Sequence, residues 1–251
     1  MVSRLLYRDG LMLVIDKPAG MAVHRGSPNS KDRNRESLED HFDTLRFGLP
    51  RPPALAHRLD RDTSGCLVLG RHRKALAELG KLFRNGAIDK TYWAVVEGTP
   101  DADEGVIELP LGRLDDKIGW WMKHDPKGQP AVTKWKVMGR DVSRSLTWLS
   151  LDLLTGRTHQ IRVHCAETGW PVLGDGIYGN APRHGGPPLH LHAREIVVPL
   201  YKNRAPVRIT APVPPHMRDR LMQCGWDGEE IPTEVTSHSP GEGEELSKSS
   251  L

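Results

Sequence analysis

Residues 57–65 read HRLDRDTSG. Asp60 lies two residues from Arg58 and one from Arg61, with a second carboxylate at Asp62 and an imidazole at His57. Two chemistries fit this composition. The carboxylates could do no more than accept backbone N–H groups in an exposed turn. Alternatively, the cations hold Asp60 ionised so that it acts as a nucleophile or base. A second stretch, GRTHQIRVH at 156–164, supplies Arg157 and Arg162 near an expected helix start. A single aspartate with a remote arginine partner resembles a chemical site more than a surface turn.

Other motifs carry less. GDGIYG at 174–179 fits G-x-G-x-x-G, and Glu195 lies about 20 residues further on, as a dinucleotide fingerprint asks. NAPRHGGPP follows it, however, and no helix begins there to receive a pyrophosphate. His159 and His164 are five apart and so do not share a helix face as an i,i+4 pair does. His190 and His192 have no nearby Cys or carboxylate to complete a ligand set. These read as polar helix and strand histidines, not metal ligands. There is no GxxxxGK[ST] and no GxSxG, and a triad built on Ser64 has no further support.

The elements that must position Asp60 and the arginines follow from the apolar runs. LMLVI (11–15) reads as a buried strand, turned by DKPAG through Pro18 and Gly20. Residues 24–36 read as a basic, polar, mobile loop. Ser37 caps a short helix with Leu38, Phe42 and Leu45 on one face. CLVLG (66–70) is a strand directly after HRLDRDTSG. A helix over 72–84 turns Ala75, Leu76, Leu79, Leu82 and Phe83 inward and stops at Asn85-Gly86. TYWAVVEG (91–98), SLTWLSLDLL (145–154), IVVPL (196–200) and VRITAP (207–212) read as strands, and 156–169 as a turn into a helix ending at Gly169. Strands outnumber helices at short, turn-rich spacing. The fold class is therefore α+β, a mixed, mostly antiparallel sheet with flanking helices.

The 251 residues are 37% hydrophobic and 27% charged, as in a soluble globular protein. No run of about 18 apolar residues predicts a membrane span, and the N-terminus is too polar for a signal peptide. Cys66, Cys165 and Cys224 are odd in number and form no CxxC, which predicts free thiols in a cytoplasmic protein. Residues 1–225 read as one unit and 226–251 as an acidic, disordered tail. Residues 227–251 hold seven acidic residues against Lys248, a net −6, so +9 remains on the rest of a chain whose total is +3. A basic body suits a polyanionic partner.

Read together, five stretches carry a family resemblance. LLYRDGLMLVIDKPAGMAVH, HRLDRDTSGCLVLGR, KTYWAVVEG, LLTGRTHQIRVH and WPVLGDGIYG occur in this order, over most of residues 5–215, and resemble the RluA-type pseudouridine synthases. The resemblance implies that uridine in RNA is detached from its ribose at N1, rotated and rejoined through C5. It implies Asp60 as the nucleophile, at sugar C1′ or base C6. It implies Tyr92 stacked on the base where the C5 proton leaves, and Arg162 paired with Asp60. Arg58 would enter the RNA stem in place of the extruded base, and His57 and Arg157 would contact the substrate. Such a rearrangement needs no metal, nucleotide or organic cofactor.

The family's opening stretch begins near residue 5, so the catalytic unit, acting as a monomer without an accessory RNA-binding domain, would select a ribosomal or transfer RNA stem-loop by shape. WWMKHDPKGQPAVTKW (120–135) either touches that RNA or packs as a hairpin. A hydrolase using Asp60 and Asp62 fails because residues two apart in a turn do not flank a glycosidic bond from opposite faces. A catalytically silent RNA-binding protein is disfavoured by the presence of Asp60, Tyr92 and Arg162 together.

Overall fold

The structure is a computed structural model describing residues 1–25, 36–115 and 121–230. Twelve strands occur among these residues: β1 (Leu5–Arg8), β2 (Met12–Lys17), β3 (Ala54–Leu55), β4 (Ser64–Gly70), β5 (Asp89–Glu97), β6 (Glu104–Glu108), β7 (Leu111–Arg113), β8 (Met122–His124), β9 (Val132–Asp141), β10 (Leu146–Leu153), β11 (Leu191–Val198) and β12 (Val207–Thr210). The α-helices are α1 (Arg73–Arg84), α2 (Gln160–Glu167) and α3 (Pro215–Gln223). Ten strands form one sheet in the order β1-β2-β4-β11-β5-β10-β9-β6, with β12 on β11 and β3 on β4, and β7–β8 is a separate hairpin. Every pairing is antiparallel except β4 with β11. The mixed, mostly antiparallel α+β architecture is the one expected.

Both faces of the central sheet are covered. Leu13 and Ile15 of β2 join Tyr92, Ala94 and Val96 of β5 in a core with α2 and the short 3-10 helix Leu38–Leu45. Met12 and Val14 face the other way, toward Leu79 of α1, and Trp93 and Val95 face Met217 and Leu221 of α3. Strands buried on both faces read as continuous apolar runs, which is why LMLVI and CLVLG stand out in the sequence. Ser37 caps its helix through a capping box with Asp40, and Leu38, Phe42 and Leu45 are buried as expected. Gly86 ends α1 in the left-handed region.

Some elements depart from expectation. β11 begins at Leu191, five residues before the predicted IVVPL, because buried polar residues (His192 and Arg194) interrupt its apolar pattern. α3 was not predicted; it opens on Pro215 and buries only Met217 and Leu221. Residues 226–230, assigned to the tail, fold onto the body: Trp226 packs edge-on against Trp93, and Glu230 pairs with Arg194 and Arg218. One buried cation, one exposed cation and an apolar socket outweigh the acidic composition of these five residues. The expected disorder otherwise falls on 231–251, and the expected mobile loop largely on 26–35, both outside the described residues. Within 120–135, Trp135 packs on Trp170 and Trp121 lies under the Arg183 guanidinium; Trp120 is outside the described residues. No helix among the described residues is long and apolar enough to cross a membrane.

The parallel contact fixes the start of β4 directly after the HRLDRD loop. Ser64 lies opposite His192 and Gly65 opposite Ala193, and the Ser64 hydroxyl hydrogen-bonds His192 Nδ1 at 2.9 Å in the interior. Gly65 has φ +106°, and a Cβ there would lie 2.2 Å from the Ala193 carbonyl oxygen. Neither backbone can retreat without breaking the sheet. Gly65→Ala should therefore cost on the order of 3 kcal/mol or more, read as a large fall in the denaturation midpoint or as loss of soluble protein.

Candidate active site

The six residues singled out in the sequence (His57, Arg58, Asp60, Tyr92, Arg157 and Arg162) all line one cavity of about 650 Å³. They arrive from three segments: the β3–β4 connection, β5, and the turn into α2. Asp62, the second carboxylate of the motif, is exposed and does not line the cavity, which removes the two-carboxylate arrangement a hydrolase would need.

The β3–β4 connection is anchored at three points. Leu59 is buried in the core. Thr63 N–H donates to the Asp60 carbonyl, closing the turn. Beneath it, the wholly buried Lys17 Nζ donates to the carbonyl oxygens of Pro18, Arg61 and Thr63, each at 2.8 Å. Burial pushes the Lys17 ammonium down to about 7, while Asp62, Asp60 and Asp16 pull it back up. Three carbonyl acceptors match the three donors of the charged form. This lysine ties the DKPAG turn to the aspartate loop.

His57 accepts the Val68 N–H at Nε2 (3.0 Å) and stacks on Phe83 with ring centroids 4.4 Å apart. Burial, then the Lys90 charge, push it down to about 3, so the ring is neutral and forms a wall of the cavity. Arg58, Arg84 and Lys90 also line the cavity, and their side chains make no hydrogen bond or ion pair among the described residues. Lys90 and Tyr92 are two apart on β5 and so share its cavity face. Tyr92 is buried; burial, and then the Asp60 charge, raise its phenol, which stays protonated.

The helix carrying Arg162 is held by an internal polar bracket. Gln160 uses its whole amide: Oε1 accepts from Thr155 Oγ1 and Arg157 N–H, and Nε2 donates to the Val132 carbonyl and Thr133 Oγ1. His164 is similarly tied to Thr133 and the Leu109 carbonyl. Arg157 donates from Nε to the Pro130 carbonyl, which fixes it at the cavity rim.

Arg162 was expected to pair with Asp60, and the structure refines this. Its fork is taken by Asp175, Nε to Oδ2 at 2.7 Å and Nη2 to Oδ1 at 2.8 Å. Its remaining nitrogen, Nη1, lies 3.7 Å from Asp60 Oδ2. His159 Nε2 lies 3.7 Å from the same oxygen. Asp175 also accepts the N–H groups of Ile177 and Tyr178. The side chain of Asp60 is 18% exposed, against 5% for Arg162 and none for Asp175. The reachable carboxylate thus fronts a buried guanidinium that a second, unreachable carboxylate holds in place.

Asp175 and Tyr178 belong to GDGIYG, which the sequence offered only as a false dinucleotide motif and a glycine-rich turn. His159 was read as an ordinary polar histidine. The one available signal was an aspartate set between glycines with no helix to follow.

Residues 11–167 match the family model for RNA pseudouridylate synthase. The chain is 39% identical over 221 residues to a Zymomonas mobilis protein named as an uncharacterized RNA pseudouridine synthase, covering 87% of this chain and 97% of that one. It is 35% identical over 215 residues to the ribosomal large subunit pseudouridine synthase C of Vibrio vulnificus, covering 83% of this chain and 65% of that one. Among solved structures, human RNA Pseudouridylate Synthase Domain Containing 4 superposes with a TM-score of 0.72 at 26% identity, over 89% of this chain and 93% of the human one.

Asp175 supplies a test of the bracket around Arg162. Burial by itself would raise its carboxyl, but the Arg162 hydrogen bonds and charge, with the Tyr178 and Ile177 N–H groups, hold it below the usual carboxylate range. A carboxylate depressed in the folded state stabilises fully above its unfolded value near 4, and that stability is lost as pH falls through the folded value. Asp175→Asn should cost on the order of 3 kcal/mol at pH 7. Urea denaturation should show the gap to wild type narrowing as pH is lowered below about 4.

Proposed function

The chain belongs to the RNA pseudouridylate synthase family, whose members isomerise uridine to pseudouridine in RNA, and on that premise we propose that Asp60 is the nucleophile of the reaction. The observation that carries this reading is the 3.7 Å approach of Arg162 Nη1 to a partly exposed Asp60 carboxylate, with the arginine fork already engaged by Asp175. Entry of a uracil into the cavity desolvates Asp60, which by itself favours the protonated acid. The guanidinium opposes this and keeps the carboxylate charged. Asp60 attacks C1′ or C6, the N1 glycosidic bond breaks, and the base turns so that C5 meets C1′. Tyr92 stacks on the turning base. Because its phenol is protonated, it takes the C5 proton as its own proton passes to the released Asp60 carboxylate; Asp60 then gives a proton up as N1, which left with the bonding pair, gains one, so the net transfer is from C5 to N1.

The substrate in this reading is a structured RNA stem-loop. The naming of the Vibrio relative for the large ribosomal subunit favours ribosomal over transfer RNA. Arg84, Lys90 and Arg157 bind phosphates at the rim, and His57 walls the base site. Arg58, exposed and with no side-chain hydrogen bond or ion pair among the described residues, fills the gap left by the extruded uridine. The protein acts as a cytoplasmic monomer and uses no cofactor, since the isomerisation involves no net redox change or hydrolysis.

Asp60→Asn should abolish pseudouridine formation in a transcript of large-subunit ribosomal RNA while RNA affinity is retained. Turnover within about tenfold of wild type, roughly 1.4 kcal/mol in barrier, means that another group is the nucleophile. Arg58→Ala separates flipping from binding. Under single-turnover conditions at saturating enzyme, it should slow a stem-loop substrate about tenfold more than an unstructured strand carrying the same uridine, because only the stem pays an unstacking cost. Equal slowing of both assigns Arg58 to general binding.

A further inference from the structure

We propose that His159 is a positioning residue for Asp60, with its tautomer set by Tyr178 so that an Nε2–H faces the carboxylate. The inference rests on the assignment of Asp60 to the reaction and adds a second donor to it. The hydrogen-bond accounting starts at Tyr178. Its Oη accepts the backbone N–H of Met122 at 2.9 Å. Its hydroxyl also pairs with His159 Nδ1, 2.7 Å away, and in this proposal the phenol O–H is the donor there. A ring nitrogen that accepts leaves the single proton of a neutral imidazole on the other nitrogen. That nitrogen, Nε2, lies 3.7 Å from Asp60 Oδ2.

His159 therefore approaches the same oxygen as Arg162 Nη1. Two donors converge on Oδ2, and Oδ1 is left to face the reacting carbon. A separation of 3.7 Å is longer than a hydrogen bond, and contacts of this kind tighten when substrate closes the site. The ring stays neutral because burial lowers its pKa; Arg162 and Arg58 act in the same direction, and Asp60 and Asp175 oppose them.

The backbone gives independent support. His159 precedes α2 in the left-handed conformation, φ 54° and ψ 20°. A residue with a β-carbon carries a cost there, smaller for His, Asn and Asp than for other side chains and smallest for Gly. Such a cost persists where the surrounding structure and the side chain's task demand it. The interior histidines His164 and His192 instead direct both ring nitrogens to hydroxyl or carbonyl groups of the fold, and neither lines the cavity as His159 does. The GDGIYG turn thus steers both neighbours of Asp60, Arg162 through Asp175 and His159 through Tyr178, whose ring also lies against the Arg162 guanidinium.

The tautomer is read without RNA, by nitrogen-15 NMR of histidine-labelled protein at pH 7, with the His159 signals assigned by their loss in His159→Gln. The expected ring is protonated at Nε2 and bare at Nδ1, and Tyr178→Phe should bring in the Nδ1–H form. A wild-type ring protonated at Nδ1, alone or together with Nε2, overturns the proposal. Single-turnover rates on the large-subunit transcript give the second reading. Gln extends an N–H to the position of imidazole Nε2, whereas Asn is too short but suits the left-handed backbone better. His159→Gln should stay within about tenfold of wild type and His159→Asn should fall by on the order of a hundredfold. A purely structural role gives the reverse order, so Asn as fast as Gln overturns the proposal. If wild-type enzyme converts no uridine, the assignment of the reaction falls, and the NMR result still decides the tautomer.

Discussion

Arg162 serves two carboxylates and treats them unequally. A guanidinium has five N–H donors in a fixed plane, and the bidentate edge here belongs to Asp175. Had Asp60 taken that edge, both of its oxygens would be bound, and a nucleophile must surrender such bonds before it reacts. With the fork engaged elsewhere, Asp60 receives the electrostatic benefit of a buried positive charge 3.7 Å from Oδ2 and keeps Oδ1 available. Asp175 also makes the burial of Arg162 tolerable, because an interior guanidinium without a close counter-charge is strongly destabilising. In the proposed reading, reactivity and stability are thus divided between two aspartates that share one arginine.

The rest of the fold brings these groups together from distant segments. Asp60 precedes β4, Tyr92 lies on β5, Arg162 is on α2 and Asp175 is in the turn before β11. In the sheet β11 lies between β4 and β5, so the three site-bearing stretches of strand are neighbours although they are far apart in sequence. The parallel β4–β11 contact is close enough to require glycine at 65, and this sets where the aspartate loop begins. Lys17 fixes the same loop from beneath by three carbonyl bonds. Gln160 fixes the opposite wall by saturating its own amide. Both devices replace loop flexibility with buried hydrogen bonds, which hold geometry only when every partner is satisfied.

What was legible in the sequence follows from this construction. Strands covered on both faces appear as apolar runs, so β2, β4 and β5 read directly, while β10 reads from its alternation. α1 is legible for a different reason: it is amphipathic, and Asn85-Gly86 marks its end. α2 was found from its turn and its glycine stop, because residues Gln160 to Cys165 are all buried and leave no polar face to mark it. β9 escaped notice: Lys134 and Lys136 alternate with partly buried Trp135 and Val137 near the sheet edge, and Gly139 interrupts the pattern. Of the six cavity residues, Asp60, Arg157 and Arg162 stand out by their chemistry, and the ordered family motifs add Tyr92 and the roles of the rest. Asp175, Tyr178 and His159 act through other residues, and nothing in local spacing reports a bond to Arg162 thirteen residues away or to a histidine nineteen residues away.

The charges also separate by depth. The cations at the cavity rim, Arg58, Arg84 and Lys90, lack ion-pair partners among the described residues, while Arg162 beneath them is paired twice. A polyanion approaching the cavity therefore meets unpaired charge first, and its phosphates can be neutralised there without competing for the inner guanidinium. Asp175 strengthens this protection, since displacing it would cost a bidentate buried pair in exchange for a solvent-facing contact. Binding strength can then vary with the rim, and with ionic strength, while the environment of Asp60 stays constant. A basic surface and an intact internal ion pair are compatible in one small domain because different residues, at different depths, perform the two tasks.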